Sequence, residues 1–526
     1  MLDAIIEGAT IYDGVSAVPF STDVGIAGDR IGLVGDLSGR DAIVRRPGQG
    51  LALAPGFIDV HSHSDELWLV DPRCEGKIAQ GVTTEIGGNC GSSAAPLLGL
   101  ARRYRNADLR PLGLEVQWES LDEFLSLVER NPPALNVATL AGLGTIRRGV
   151  RGDLEGPLDA DELRRSEALV RSAIEQGALG VSSGLIYVPS RYAGVAELAA
   201  CARAAADAGQ PRYASHLRSE GDDLLGAVDE ALAVGRSADC IVQFSHHKAA
   251  WKRNWGKVHA SLERIDRARS AGAAAYADAY PYVAMWTDLD TMLAEDVLFG
   301  GREAALERLR DPEQATAIAL RLELDHAGTW KDVQITTVRS ERNAGLAGMR
   351  LDEIARGWRI SPQRAVIRLL IEEDLAVQAV FFAMSEDDVA TVLDAPFTCI
   401  GSDASARALT GPTAVGVPHP RTFGCFPRVF SRFVRGRRSL ELGDAVRRMT
   451  SLPASIFGLR DRGRIAPGAY ADLVLFDPER IADRATYEKP FAYPDGIDAV
   501  FVNGVPVVLA GTPTGARPGR VLRGGG

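Results

Sequence analysis

The chain has 526 residues, of which 46% are hydrophobic and 24% are charged, a composition that is typical of a globular protein and argues against a disordered one. Its formal net charge of -10 argues against a surface that binds nucleic acid or an anionic membrane, so we expect a small-molecule partner. The six cysteines lack short paired spacings, and no signal-like or membrane-spanning run is found, so we expect a cytoplasmic protein.

Short β-like runs alternate with amphipathic helices through the middle of the chain. Eight runs rich in Val, Ile and Ala predict strands that end near residues 63, 88, 142, 184, 216, 246, 282 and 403. Helices are predicted from a capping box at Ser120 to about 130, from the Ser361-Pro362 cap onward, and over 159–176, 194–208, 221–235, 256–271 and about 440–450. Eight such alternations, with strands too apolar to face water, predict an α/β fold of the (β/α)8 TIM-barrel type.

Both ends of the chain show strand-like alternation and no long helix. Residues 1–54 and 459–526 are therefore predicted to form one small β-sandwich domain beside a barrel of residues 55–458. The stretch of residues 286–350, after the seventh strand, is longer than a barrel crossover requires. We expect it to be either a lid over the catalytic face or a helical layer outside the barrel.

Polar residues close several of the predicted strands, at the end of the barrel where active sites lie. His61 and His63 are two residues apart, so both side chains point to the same side of the first strand and can hold one metal ion. Three later strands end in further candidate ligands, His216, His246 and Asp403. Of the neighbours His246 and His247, only one can face the barrel interior. The pattern predicts a metal-dependent hydrolase.

Cys90 is the sixth candidate ligand. Many two-metal barrels bridge their ions with a carboxylated lysine, but this chain has no lysine between Lys77 and Lys248. A thiolate can take that place, because it has enough lone pairs to contact two ions. Cys240 is a poor alternative, since it lies about 20 Å along the strand from His246.

Nine segments together resemble the amidohydrolase superfamily and, within it, the N-acyl-D-amino-acid deacylase (D-aminoacylase) family. They are Pro55–His63, Gly88–Gly91, Tyr213–Arg218, Ser245–Lys248, Asp278–Tyr282, Ser402–Asp403, His419–Arg421, Gly463–Asp472 and Val502–Gly504. The resemblance implies a zinc-binding barrel with a composite β-domain. It also implies Cys90 as a ligand, His246 rather than His247 as the inward histidine, and hydrolysis of N-acyl-D-amino acids to a carboxylate and a free D-amino acid.

Asp403 is expected both to bind the metal and to act as general base when water attacks the amide. Tyr282 is a candidate for stabilising the oxyanion. The substrate carboxylate needs a cation, and Lys248, Arg421 and Arg218 lie beside the ligand motifs; Arg421 is favoured because a guanidinium binds a carboxylate through two bonds. One or two zinc ions are expected, with the ligands His61, His63, Cys90, His216, His246 and Asp403.

Two other functions fit parts of the pattern. A cyclic-amide hydrolase of the dihydroorotase or hydantoinase kind would share the histidine pair and the barrel, but such enzymes generally need the bridging lysine. A catalytically inactive barrel subunit would be expected to lose ligands, whereas all six are present. The oligomeric state and the preferred acyl group and side chain have no readable pattern.

Overall fold

The computed structural model describes residues 1–525, and its central element is a barrel of eight parallel strands. Neighbouring strands pair in chain order, and a parallel bridge between Ser62 and Ala404 joins the last strand to the first. The predicted (β/α)8 barrel is confirmed. The third strand is split, and the barrel strands are Phe57–Asp59, Val82–Gly87, Asn136–Thr139 with Ala141–Gly142, Val181–Gly184, Arg212–His216, Ile241–Phe244, Ala275–Ala279 and Thr398–Ile400.

Helices surround the barrel because its strands are buried on both faces and must be shielded from water. The helix predicted from the Ser120 capping box is confirmed: the Ser120 hydroxyl accepts a hydrogen bond from the N–H of Glu123. Thirteen α-helices accompany the barrel: Leu67–Val70, Glu75–Ile78, Gly99–Leu109, Leu121–Arg130, Leu143–Arg151, Ala160–Glu175, Val195–Asp207, Leu224–Ala238, Lys257–Ser270, Glu386–Asp394, Arg421–Arg428, Leu442–Met449 and Ser451–Phe457.

The two ends of the chain form one nine-stranded sheet. Its halves meet where Ala52–Pro55 pairs antiparallel with Leu473–Phe476. Alternate residues of the latter strand face opposite sides, so that Phe476 packs against Phe57 of the barrel while Leu475 packs into a separate core. The remaining strands of this sheet are Leu2–Ile11, Phe20–Ala27, Arg30–Gly35, Ala42–Pro47, Ile497–Val502, Val505–Leu509 and Thr512–Pro513.

An insertion follows the seventh barrel strand and is larger than predicted. It contains an antiparallel sheet in which Gln378–Phe381 pairs with both Met285–Asp288 and Val333–Thr337. The insertion therefore cannot end near residue 350, because its central strand comes last in sequence. Its own apolar core and four helices complete it, Gly301–Arg310, Pro312–His326, Leu351–Trp358 and Pro362–Glu372. None of the helices within residues 1–525 combines the length and apolarity needed to cross a bilayer.

Candidate metal centre

Four side chains from four different strand ends meet in one cluster, the thiol of Cys90 and three imidazoles. The Cys90 Sγ lies 3.3 Å from His61 Nε2 and 3.4 Å from His246 Nε2. The ring of His216 lies against that of His246, with 4.4 Å between the ring centroids. All four side chains are buried. One thiol and three imidazoles that converge in this way are the donors that zinc prefers in proteins.

A second group lies beside the first and shares His61 with it. The Asp403 Oδ1 atom is 3.0 Å from His63 Nε2 and 3.5 Å from His61 Nε2. The His63 side chain is 34% exposed, whereas that of His61 is fully buried, so this second group lies nearer to solvent. The two groups together bring all six sequence-predicted ligands to one end of the barrel.

Three of these residues have a backbone conformation that non-glycine residues rarely adopt. The φ angles are 52° at Cys90, 35° at His246 and 51° at Asp403, all in the left-handed region. Each such residue costs about 1–3 kcal/mol, and strain of this kind concentrates at functional sites. In all three cases it turns a side chain inward just beyond the end of a strand.

The charges of the cluster favour an anionic sulfur. Burial alone would raise the pKa of the Cys90 thiol, but the nearby imidazoles of His61, His246 and His216 lower it well below its usual value. Burial alone would lower the pKa of His61, but the Asp278 carboxylate and the Cys90 sulfur raise it well above its usual value. A divalent cation would supply the positive charge that the imidazolium protons otherwise provide.

The surroundings of the His216 ring indicate whether these residues suit a metal ion. Its ring is buried, and neither ring nitrogen has a hydrogen-bond partner among residues 1–525. An unsatisfied buried imidazole is costly unless a ligand takes its lone pair. With the sulfur of Cys90 and the ring of His246 beside it, His216 completes a donor set that fits zinc.

Two carboxylates that the sequence analysis missed contact the imidazole nitrogens that face away from the Cys90 sulfur. Asp278 Oδ1 lies 3.2 Å from His61 Nδ1 and accepts a hydrogen bond from the N–H of His246. Glu220 Oε1 lies 2.9 Å from His246 Nδ1. Such carboxylate contacts fix the ring orientation of metal-bound histidines. Asp278 stands at the end of the seventh strand, and this position was the signal that could have identified it.

The predicted cations Arg421 and Lys248 are both buried and already hold an anion. Arg421 Nη2 lies 2.9 Å from Asp403 Oδ2, but its Nε and Nη1 have no partner within the described part of the chain. Lys248 Nζ lies 2.5 Å from Glu220 Oε1. Arg421 therefore retains free donors for a second anion, whereas the charge of Lys248 is compensated.

The prediction for Tyr282 is corrected. Its ring packs against His419 and under the guanidinium of Arg428, which places it away from the ligand cluster. The tyrosine beside the site is Tyr280, whose ring lies 4.5 Å from the guanidinium carbon of Arg421. The seventh strand ends at Ala279, so the two-residue alternation no longer governs the direction of the later side chains.

Three other residues from the sequence analysis, His247, Arg218 and Cys240, do not join the ligand cluster. His247 turns outward, and its Nε2 lies 2.7 Å from the hydroxyl of Ser261. Arg218 forms a two-point ion pair with Glu230. Burial raises the pKa of the Cys240 thiol to about 12, so that group stays protonated.

A protein-family model described as "Amidohydrolase family" matches residues 49–508. An N-acyl-D-glutamate deacylase from Alcaligenes xylosoxydans xylosoxydans is 38% identical over 99% of this chain and 96% of its own length. A D-aminoacylase from the same organism is 35% identical over 99% and 97%. The crystal structure of an N-acyl-D-glutamate deacylase from Bordetella bronchiseptica, complexed with zinc and a phosphonate inhibitor that mimics the tetrahedral intermediate, matches with a TM-score of 0.84 and 36% identity, covering 99% of both chains.

We expect that Cys90→Ala removes most of the bound metal while the barrel stays folded, because the variant loses the only thiol among the six candidate ligands. Elemental analysis of the purified protein measures the metal, and circular dichroism checks the fold. Cys240→Ala is the matched control and should keep the wild-type metal content. A folded Cys90→Ala protein with wild-type metal stoichiometry would show that the sulfur only fills space.

Proposed function

The chain belongs to the amidohydrolase family and, within it, to the D-aminoacylases and N-acyl-D-amino-acid deacylases, and we propose that it hydrolyses N-acyl-D-amino acids to a carboxylate and a free D-amino acid. The observation that carries the proposal is the buried cluster of imidazoles, thiol and carboxylate at the carboxyl end of the barrel. Its donor set suits zinc, with which the N-acyl-D-glutamate deacylase from Bordetella bronchiseptica is complexed, and a bound metal ion can assist hydrolysis of an amide.

Zinc is the cofactor of the proposed reaction. Cys90, His216 and His246 would form the tighter position, because all three are buried, whereas the second group includes the partly exposed His63. The second position would use the more exposed group, which consists of His61, His63 and Asp403. Cys90 lies close enough to His61 to contribute to both positions. Bound zinc supplies a Lewis acid that polarises the amide carbonyl, stabilises the oxyanion and lowers the pKa of water.

Asp403 is the general base in this proposal. Its carboxylate is held between His63 on one oxygen and Arg421 on the other, so its position is fixed before substrate arrives. Burial alone would raise its pKa, but Arg421, His246 and the hydrogen bond from His63 lower it well below its usual value, so the group is ionised. It accepts a proton as water attacks the amide carbon and returns that proton to the leaving nitrogen.

Arg421 is proposed to bind the substrate carboxylate. Its Nε and Nη1 are buried donors, and the ring of Tyr280 lies against the guanidinium plane and limits its movement. A carbonyl held at the cluster, a carboxylate held at Arg421 and a pocket for the side chain make three fixed points. Three fixed points distinguish the D from the L enantiomer.

A cyclic-amide hydrolase is the weaker candidate, because no lysine lies between Lys77 and Lys248 to bridge two ions. An inactive subunit is also weaker, because the predicted ligands converge. We also propose a cytoplasmic location, which is supported by six cysteines that are all unpaired and five of which are buried.

The proposal is tested by offering the zinc-loaded protein N-acetyl-D-amino acids, their L enantiomers and a dihydropyrimidine. Free amino acid is measured by reaction of its amine. We expect release from the D substrates, with acidic and apolar side chains compared in parallel. Preference for L substrates or for ring opening would refute the deacylase function.

Asp403→Asn should lower kcat by about a thousandfold or more, because the amide keeps the size of the side chain but cannot accept the proton. Zinc at the Cys90 position should remain, since Asp403 is not among its donors. Steady-state kinetics and elemental analysis measure the two quantities. Turnover above about a tenth of wild type would place the base elsewhere.

Arg421→Lys should raise KM for N-acetyl-D-amino acids by about tenfold, because lysine keeps a charge beside Asp403 but loses the planar pair of donors. The measured quantity is the ratio of kcat/KM for an N-acetyl-D-amino acid to that for its neutral carboxamide. This ratio should fall in the variant, while zinc content stays constant. An unchanged ratio would make Lys248 the better candidate for the anchor.

A further inference from the structure

Lys77 is a fully buried cation that the proposed reaction does not use. It lies on the short helix Glu75–Ile78, and its Nζ lies 2.6 Å from Asp59 Oδ2 and 3.3 Å from Glu85 Oε2. All three side chains have no exposed surface. Although burial alone would lower the pKa of Lys77, these two carboxylates raise it, so the buried group is an ammonium ion. Charged side chains are rarely buried this completely unless they are paired with opposite charges.

The other hydrogen bonds of this ammonium go to both neighbours of Asp403. Lys77 Nζ donates to the hydroxyl of Ser402 and to the carbonyl oxygen of Ala404, each at 2.8 Å. Together with the bond to Asp59, these contacts use all three N–H groups of the ammonium. No candidate zinc ligand within residues 1–525 offers its side chain to Lys77, so its action on the site is indirect.

Asp59 completes the connection. One carboxylate oxygen accepts from the backbone N–H of Ser402 at 2.8 Å, and the other accepts from the Ser402 hydroxyl at 2.6 Å. The backbone N–H of His61 also points at Asp59, at 3.3 Å. The residues before and after Asp403 are therefore held by one ion pair, and Asp403 itself has the strained φ angle of 51°. Such an angle persists only where the surroundings fix it.

We propose that Lys77 is a positioning residue that, with Asp59 and Ser402, fixes the backbone on both sides of Asp403 and so aims its carboxylate at His61 and His63. The proposal rests on the proposed function, because it concerns the base and the second zinc position of that reaction. The contacts of Lys77 Nζ are with residues that flank the candidate ligands, so it acts through the backbone beside Asp403. Its removal should let the Asp403 carboxylate move, and a displacement of about 1 Å in such a group can cost a hundredfold in rate.

The experiment compares Lys77→Met, Ser402→Ala and the control Ser261→Ala. Lys77→Met removes the ammonium but keeps the length of the side chain. Ser402→Ala removes only one hydroxyl of the same network and leaves its charges balanced. Ser261 is an equally buried serine on the helix Lys257–Ser270, bonded to His247 and outside the network. For each protein, kcat, KM, the melting temperature and the affinities for the first and second zinc ions are measured.

We expect Lys77→Met to lower kcat by about a hundredfold and Ser402→Ala by about tenfold, each with KM within about threefold of wild type. Both should weaken the second zinc ion by about tenfold and leave the first ion, on the Cys90 group, unchanged. Ser261→Ala should match wild type in kcat, KM and both zinc affinities, although the loss of its bond to His247 should lower the melting temperature. A purely structural role would lower the melting temperature without separating kcat from KM or the second ion from the first.

Two results would overturn the proposal. One is a folded Lys77→Met protein with wild-type kcat and wild-type affinity for the second zinc ion. If Lys77→Met does not fold, wild-type values for both quantities in Ser402→Ala have the same meaning. Zinc titration of the metal-free proteins needs no substrate, so it decides the role of Lys77 even if the wild type shows no deacylase activity.

Discussion

The hydrogen bond from the backbone N–H of Asp403 to the carbonyl oxygen of His61, 2.8 Å long, is the contact on which the catalytic end of the barrel depends. It lies where the last strand meets the first, and the parallel bridge between Ser62 and Ala404 continues it. The carboxylate proposed as base and an imidazole proposed as metal ligand come from opposite ends of the barrel sequence. Only closure of the barrel puts them side by side, and it also supplies the rigidity that tolerates the left-handed conformation of three candidate ligands.

Each buried cation around the cluster is matched with a carboxylate. Lys248 is paired with Glu220, and Arg421 is paired with Asp403. The ammonium of Lys77 contacts two carboxylates, those of Asp59 and Glu85. Removing one partner of such a pair is more costly than the pair is worth, because the other charge is left without compensation. Of the two cations beside the ligands, only Arg421 has donors to spare within the described residues. Of these two cations, Arg421 is therefore the one that can bind a further anion, and it lies next to Asp403.

The convergence of the candidate ligands could be predicted from the sequence because each follows an apolar strand, and strand ends converge in a parallel barrel. Glu220 and Lys77 could not, because their role depends on contacts with residues far away in sequence, and neither stands at a strand end. The prediction of Tyr282 went with a seventh strand expected to reach residue 282, whereas that strand ends at Ala279. The limit of the insertion was missed because its central strand, Gln378–Phe381, pairs with segments that precede it.

The sheet that joins both ends of the chain has a consequence for synthesis. The strand Ala52–Pro55 leaves the ribosome early, but its partner Leu473–Phe476 follows about 420 residues later. At ordinary rates of translation that interval is roughly 20 to 80 s. During this time the edge of Ala52–Pro55 that will receive the partner has unsatisfied backbone groups, and an open edge can pair with another nascent chain. The barrel can close first, and the terminal sheet is completed only when translation is nearly finished. A truncated chain would therefore keep an exposed strand edge and be prone to aggregate.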